Sequence, residues 1–352
     1  MLLHFSNRFL NKQGRSWIFP ILILFVLFFS GCKKSNSDKA PVSVWDPPSW
    51  FPPMEVPVDN EFTIERWELG KKLFYEKRLS INQSIACISC HDPKLSFSDD
   101  QAFSPGVFDR PGVRNASMLA NIGYAPNFLR EGGVPTLEMQ VLVPIQEHNE
   151  FNHNILDIVE ELAQDSIYAL LAQRAYGSEF SPFVLTRALA NFERSLISGH
   201  SRYDYYKYKG YYSLLSVEEK EGMNLFFSDR LKCSECHSGV FFTSFDFANN
   251  GLKEEYEDEG RMRLTGLETD RAVFKIPSLR NIEMSGPYLH DGSINSLEEV
   301  IDLYSEGGFD HPNKSVLLEE PINLSALEKA QLLSFLKTLT DHSFLNDERW
   351  VE

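Results

Sequence analysis

Apolar residues along this chain follow the helical period far more often than the strict alternation of a strand. Three stretches start with a serine followed three residues later by a glutamate: Ser216 to Glu219, Ser296 to Glu299 and Ser325 to Glu328. A serine there accepts from the third backbone N–H of a helix while the glutamate reaches back to the serine N–H, so each pair predicts a helix start. In the last stretch Leu332, Leu333, Leu336 and Leu339 supply one buried stripe. Gly70 and Gly222 each stand three residues ahead of a Leu-Phe pair, where a missing side chain lets two helices cross closely.

The pattern occurs twice. Leu73-Phe74-Tyr75 with Arg78-Leu79 matches Leu225-Phe226-Phe227 with Arg230-Leu231. Glu131-Gly132 and Thr136-Leu137-Glu138 match Asp291-Gly292 and Ser296-Leu297-Glu298 at a constant offset of 160. A repeat of this kind predicts two copies of one helical unit. The boundary is expected near residue 205, where the tyrosine- and lysine-rich run 203–210 reads as a break in a helix ending near Ile197.

Composition narrows the function classes. The chain has 352 residues, is 43% hydrophobic and carries a net charge of −16. It can bury a sizeable core, and its acidity gives no electrostatic footprint for nucleic acid. Residues 1–31 have the layout of an export signal: Arg8, Lys12 and Arg15, an apolar run from Trp17 to Phe29, then Ser30-Gly31-Cys32. That run is shorter than the ~20 residues a membrane-crossing helix needs. Phe29-Ser30-Gly31-Cys32 resembles a bacterial lipobox, so Cys32 is expected to carry a lipid that anchors the protein on the periplasmic side. Residues 32–60, rich in proline, are expected to form the tether.

The other four cysteines form Cys87-Ile88-Ser89-Cys90-His91 and Cys233-Ser234-Glu235-Cys236-His237. This is the spacing of c-type haem attachment: two thioethers fix the porphyrin edge and the next histidine faces the iron. A zinc site built from the four cysteines and a thioredoxin-like dithiol are competing readings, and neither accounts for a histidine directly after both pairs. The expected fold is mainly α: two cytochrome c-like helical domains, 61–205 and 206–352, each with one covalently bound haem.

With both motifs and the repeat in view, the sequence resembles the bacterial di-haem cytochrome c peroxidase family, in its MauG-like branch. The likeness runs over roughly residues 60 to 340 and is carried by Leu73-Phe74, Arg78-Leu79-Ser80, Arg114-Asn115-Ala116, Pro126 to Gly132 and Leu137 to Ile145. The block from Phe274 to Asn281, with Gly286-Pro287-Tyr288-Leu289-His290-Asp291-Gly292, carries it most strongly.

The resemblance implies that His91 holds the peroxide-reactive iron and His237 the relay iron, with hydrogen peroxide reduced to two waters. Gln140 and, ten residues on, Glu150 have the spacing of the family's peroxide pocket, with Glu150 as acid-base residue. Many members cap the reactive iron with a histidine, but no histidine stands between His91 and His148, which implies an open first iron; Met118 is a conceivable cap. Tyr304 stands where the relay iron's sixth ligand belongs, on the helical face of Leu297, Val300 and Ile301. Arg130-Glu131-Gly132 replaces the usual Trp-Asp-Gly between the haems, and arginine cannot relay electrons but can pair with a haem propionate. The family's calcium site maps onto Asn115, Ser285 and Pro287, and His290 onto a propionate or inter-haem contact. Expected partners are a small cytochrome, cupredoxin or quinol-linked electron donor, or a protein substrate in MauG-like chemistry, and the family also allows a homodimer. A non-catalytic electron carrier is the alternative from another class, and Gln140 and Glu150 argue against it.

Overall fold

Short polar side chains set the helix starts. The structure, a computed structural model, describes residues 43–351. The export segment, Cys32 and the first part of the tether lie outside the described residues. Helices α1 (Ile64–Phe74), α2 (Leu137–Gln140), α3 (Leu142–Gln146), α4 (Ile155–Ala163), α5 (Ser166–Tyr176), α6 (Pro182–Arg194) and α7 (Arg202–Lys209) come first. They are followed by α8 (Val217–Phe226), α9 (Cys233–Cys236), α10 (Met262–Thr265), α11 (Leu297–Glu306), α12 (Ala326–Lys337) and α13 (His342–Leu345). Among the described residues the only sheet pairs β1 (Phe247–Ala248) antiparallel with β2 (Phe274–Lys275), so the fold is mainly helical. The capping boxes at Ser216, Ser296 and Ser325 all form, at the starts of α8, α11 and α12.

Two glycine crossings organise the two halves. A Cβ on Gly70 would lie 1.9 Å from the carbonyl oxygen of Ala188 in α6, and one on Gly222 would lie 1.8 Å from that of Gln331 in α12. The backbones of α1 and α6, and of α8 and α12, therefore touch where no side chain fits. Gly70→Ala or Gly222→Ala is expected to cost about 1–3 kcal/mol by overpacking. Thermal unfolding of the holoprotein checks this, and an unchanged melting temperature would refute close crossing.

The sequence repeat is also a backbone repeat. Asn121 and Asn281, Leu129 and Leu289, and Gly132 and Gly292 share positive φ at the same offset of 160. The single-turn helices Ile122–Tyr124 and Ile282–Met284, and the bridges Phe128–Val134 and Tyr288–Ile294, keep that spacing. The first half adds α4 and α5. One core gathers Leu73, Phe74, Leu189 and Phe192. A second gathers Tyr203, Phe226, Phe242 and Phe335, while Phe344 and Trp350 near the C-terminal end pack into the first.

A buried polar network ties the halves together. Asn281 Nδ2 donates to Ser96 Oγ and Ser198 Oγ, both at 3.0 Å, and its Oδ1 accepts from the Asp341 N–H at 2.8 Å. Its repeat partner Asn121 exchanges two hydrogen bonds with the backbone of Ser198.

Two expectations need correction. The run 203–210 does not break a helix: Arg202–Lys209 is α7, started by a capping box between Ser201 and Asp204 and held by burial of Tyr203. The preceding helix stops at Arg194. The tether also ends well before residue 60. Phe51 packs on Tyr124 and Phe241 with ring centroids 5.6 and 4.9 Å apart, and Asn60 is buried with its Nδ2 donating to Glu138 at 2.8 Å. Prolines stiffen this stretch, but its aromatic side chains find apolar partners on the body, and that burial fixes it.

Candidate active site

One cavity of about 690 Å³ runs past both Cys-x-x-Cys-His motifs. Cys87, Cys90, His91, Gln140 and Glu150 line it from the first half, and Cys233, Cys236, His237 and Tyr304 from the second. Asn115, Ser285 and Pro287 line it as well, so the fold brings every sequence-expected site residue to a single space.

Each motif histidine is held by its Nδ1. That of His91 lies 2.8 Å from the carbonyl oxygen of Phe97, and that of His237 lies 3.1 Å from Pro277 O and 3.2 Å from Phe242 O. Phe97 and Phe242 both adopt left-handed backbone, with φ of 59° and 52°, so both loops turn a carbonyl back onto the ring. A carbonyl can only accept, so Nδ1 carries the proton and Nε2 keeps the lone pair a metal needs. Burial favours the neutral ring in both and lowers His237 to about 4.

The four described cysteines form no disulfide. Burial raises the Cys90 thiol to about 11 and that of Cys233 to about 12, which is unlike the acidic thiol of a redox dithiol. Among the described residues no cluster of three or more His, Cys, Asp or Glu side chains could hold a metal ion, so the two pairs do not assemble a zinc site. A roomy, mainly apolar cavity, thiols in spaced pairs and an oriented imidazole beside each pair fit two c-type haems.

Glu150 sits in a turn whose backbone is fixed: its N–H donates to Glu147 O at 3.0 Å and its carbonyl accepts from the Val107 N–H at 2.9 Å. Glu150 is exposed and lines the cavity. Protein around it, with the neighbouring carboxylate of Glu147, raises its carboxyl to about 7. Gln140 ends α2. That helix is pinned to α6 by a buried bidentate pair, Arg194 Nη1 and Nη2 donating to the two oxygens of Glu138 at 2.6 and 2.9 Å. No hydrogen bond joins the side chains of Gln140 and Glu150, and both line the cavity.

Glu193 was not expected from sequence. It lines the same cavity from α6, its Oε2 is buried without a partner, and burial raises its carboxyl to about 8. Burial therefore favours its neutral form. The signal was a lone glutamate inside Ala190-Asn191-Phe192-Glu193-Arg194-Ser195-Leu196, on a helix face that is otherwise core.

In the second half, Tyr304 shares the cavity wall with Leu297, Val300 and Ile301. Burial pushes its hydroxyl above the ordinary range, the nearby Cys233 and Cys236 add to this, and Asn250 Nδ2 donates to it at 3.5 Å. Phe242, whose carbonyl orients His237, is backed by Arg280. Arg280 is wholly buried, gives both terminal nitrogens to Asp204 at 2.8 Å and its Nε to Val240 O at 2.6 Å.

Between the motifs, His290 stacks on Phe274 with centroids 4.2 Å apart, and Tyr256 lies 5.7 Å from His290. Arg130 lines the cavity, and burial lowers it to about 10, so it stays charged at neutral pH. Its Nη2 donates to both Asn115 O, at 2.9 Å, and Asn115 Oδ1, at 3.1 Å. Met118 also lines the cavity, with its sulfur 3.9 Å from Ser96 Oγ.

Comparison with known proteins agrees with this geometry. A family model described as di-haem cytochrome c peroxidase matches residues 64–212. The methylamine utilization protein MauG of Methylorubrum extorquens is 36% identical over 286 residues, covering 80% of each chain. The cytochrome c551 peroxidase of Nitrosomonas europaea is 32% identical over 281 residues, covering 78% of this chain and 79% of its own. The crystal structure of a MauG-like protein associated with microbial copper homeostasis superposes with a TM-score of 0.82 at 35% identity, over 87% of this chain and 98% of that one. Two haem motifs on one cavity, a doubled helical backbone and these likenesses together place the chain in the di-haem cytochrome c peroxidase family, in its MauG-like branch.

Proposed function

We propose that this protein reduces hydrogen peroxide at the His91 side of the cavity, with electrons entering from an external donor at the His237 side. The observation that carries this reading is Glu150: a carboxyl fixed by its backbone on the wall of the His91 cavity and poised near neutrality. When bound, c-type haem supplies the iron at which the O–O bond is cleaved with two electrons.

The chain supplies the rest. His91 and His237 each present Nε2 to a metal because a backbone carbonyl holds Nδ1. Glu150 takes a proton from one peroxide oxygen and returns it to the other, and with two further protons from solvent and two electrons from the donor both oxygens leave as water. Gln140 donates a hydrogen bond toward the bound peroxide. Val143, Pro144 and Phe151 wall the cavity beside Glu150. No histidine stands between His91 and His148, so no imidazole from that stretch would cap an iron held by His91, which would leave it accessible to peroxide without prior reduction. Stopped-flow mixing of fully oxidised protein, peroxide and donor is expected to show turnover without a lag. A lag abolished by prior reduction would refute this reading.

Tyr304 favours a second reading, in which peroxide equivalents are stored on the protein and passed to a residue of a partner protein. Tyr304 lines the cavity with His237, and its phenolate would favour the oxidised state of an iron held there, which would suit such storage. Tyr304→Phe is expected to alter the low-spin EPR signal of the second haem, and an unchanged signal would remove Tyr304 as a ligand. Export to the periplasmic side and anchoring through a lipid on Cys32 belong to the same proposal, as does the division into haem domains near residue 205.

A further inference from the structure

The calcium site implied by the family does not fit the residues between the two motifs. Its side-chain ligand would be Asn115, and both oxygens of Asn115 already accept from one guanidinium, that of Arg130. The remaining side-chain atom, Nδ2, donates to Gln101 O at 3.1 Å, so no rotation of the amide frees an oxygen without losing a bond. Asn115 is also held by its own N–H, which donates to His290 O at 2.9 Å, and it is buried. A divalent ion placed on these oxygens would stand against a fixed positive charge a few ångströms away, and that repulsion is strong in a partly dry site. Arg130 occupies the position where the family has tryptophan, so one replacement both removes a ring and delivers a cation.

Arg130 has a second feature. Its Nε is buried and without a partner. A buried donor left open at a cavity wall needs an acceptor, and the anionic groups a c-type haem brings are its two propionates. Lys275 lies on the same wall with its Nζ 2.6 Å from Asn127 O, and Arg114 is a further cation near Arg130; the neighbouring carboxylates Glu131 and Asp258 are taken up by Arg114 and Asp291 by Lys253.

We infer that Arg130 is a built-in cation that stands in for calcium: it holds the Asn115 loop through Nη2 and a haem propionate through the neighbouring Nε, so the inter-haem site works without a metal. Arg130 is a positioning residue in this scheme. The inference takes the haem-bearing cavity as given and holds for either electron donor or protein substrate.

The test uses the full holoprotein, with two haems per chain confirmed first by pyridine haemochrome, which separates failure of maturation from failure of the inference. Metal analysis after dialysis is expected to find no stoichiometric calcium. EGTA is expected to leave the Soret band, the EPR signals and the melting temperature unchanged. Arg130→Gln, which keeps donors but loses the charge, is expected to bind calcium at least about tenfold more tightly than the native protein. Its EPR signals then respond to calcium and EGTA. Should that variant not mature, Arg130→Lys is read in its place and stays indifferent to calcium. One tightly held calcium in the native protein, an EGTA effect on its haem spectra, equal calcium affinity in Arg130→Gln, or calcium uptake by Arg130→Lys would each overturn the inference.

Discussion

Glu150→Gln is expected to lower peroxide turnover by about 10²–10⁴-fold, the range that removal of a positioned proton-transfer group produces. Haem content and the EPR signals of the oxidised protein should stay as they are, because glutamine keeps the size and shape of the side chain near Cys87 and Cys90. The pH profile carries the sharper signature. Glu150 must begin as a carboxylate to take the peroxide proton, and its carboxyl stands at about 7 rather than near 4.5. Turnover should therefore rise with pH through about 7 and level off above it. In Glu150→Gln that inflection disappears along with the rate. A variant with native turnover and a native inflection would hand the proton role to another group, and Glu193 is the next carboxyl on the cavity wall.

The second large effect is structural. Arg280→Met leaves Asp204 charged, wholly buried and without its bidentate partner, a change that costs about 3–5 kcal/mol. Chemical unfolding of the holoprotein measures it. The loss should reach the site, because Arg280 also holds Val240 O and so braces the loop whose Phe242 carbonyl fixes His237. The low-spin EPR signal of the second haem is expected to broaden. The double change Asp204→Leu with Arg280→Met removes both charges and should recover most of the stability. If Arg280→Met unfolds like the native protein, the pair is not what anchors α7 to the second half.

Much of this was legible in the sequence because it rests on local rules. A serine three residues before a glutamate makes its own cap, and Ser216, Ser296 and Ser325 all do so. Gly70 and Gly222 marked backbone contacts because only an absent side chain allows them. The haem motifs are covalent chemistry written into five consecutive residues. What was misread depends on tertiary partners. The run 203–210 looked like a breaker by composition, yet Tyr203 and Asp204 find a core and an arginine more than seventy residues away. Residues 43–60 looked like a tether because proline dominates the count, while a few aromatic side chains decide where the chain lies. Glu193 and the grip of Arg130 on Asn115 exist only once distant segments share a wall, and no local pattern encodes that.

The most direct test of the account is an EPR spectrum of the fully oxidised protein before and after one equivalent of hydrogen peroxide, with no prior reduction. A high-spin ferric signal from the His91 side that peroxide consumes is expected, beside a low-spin signal from the His237 side. Two low-spin signals that ignore peroxide would contradict it and mark the protein as an electron carrier.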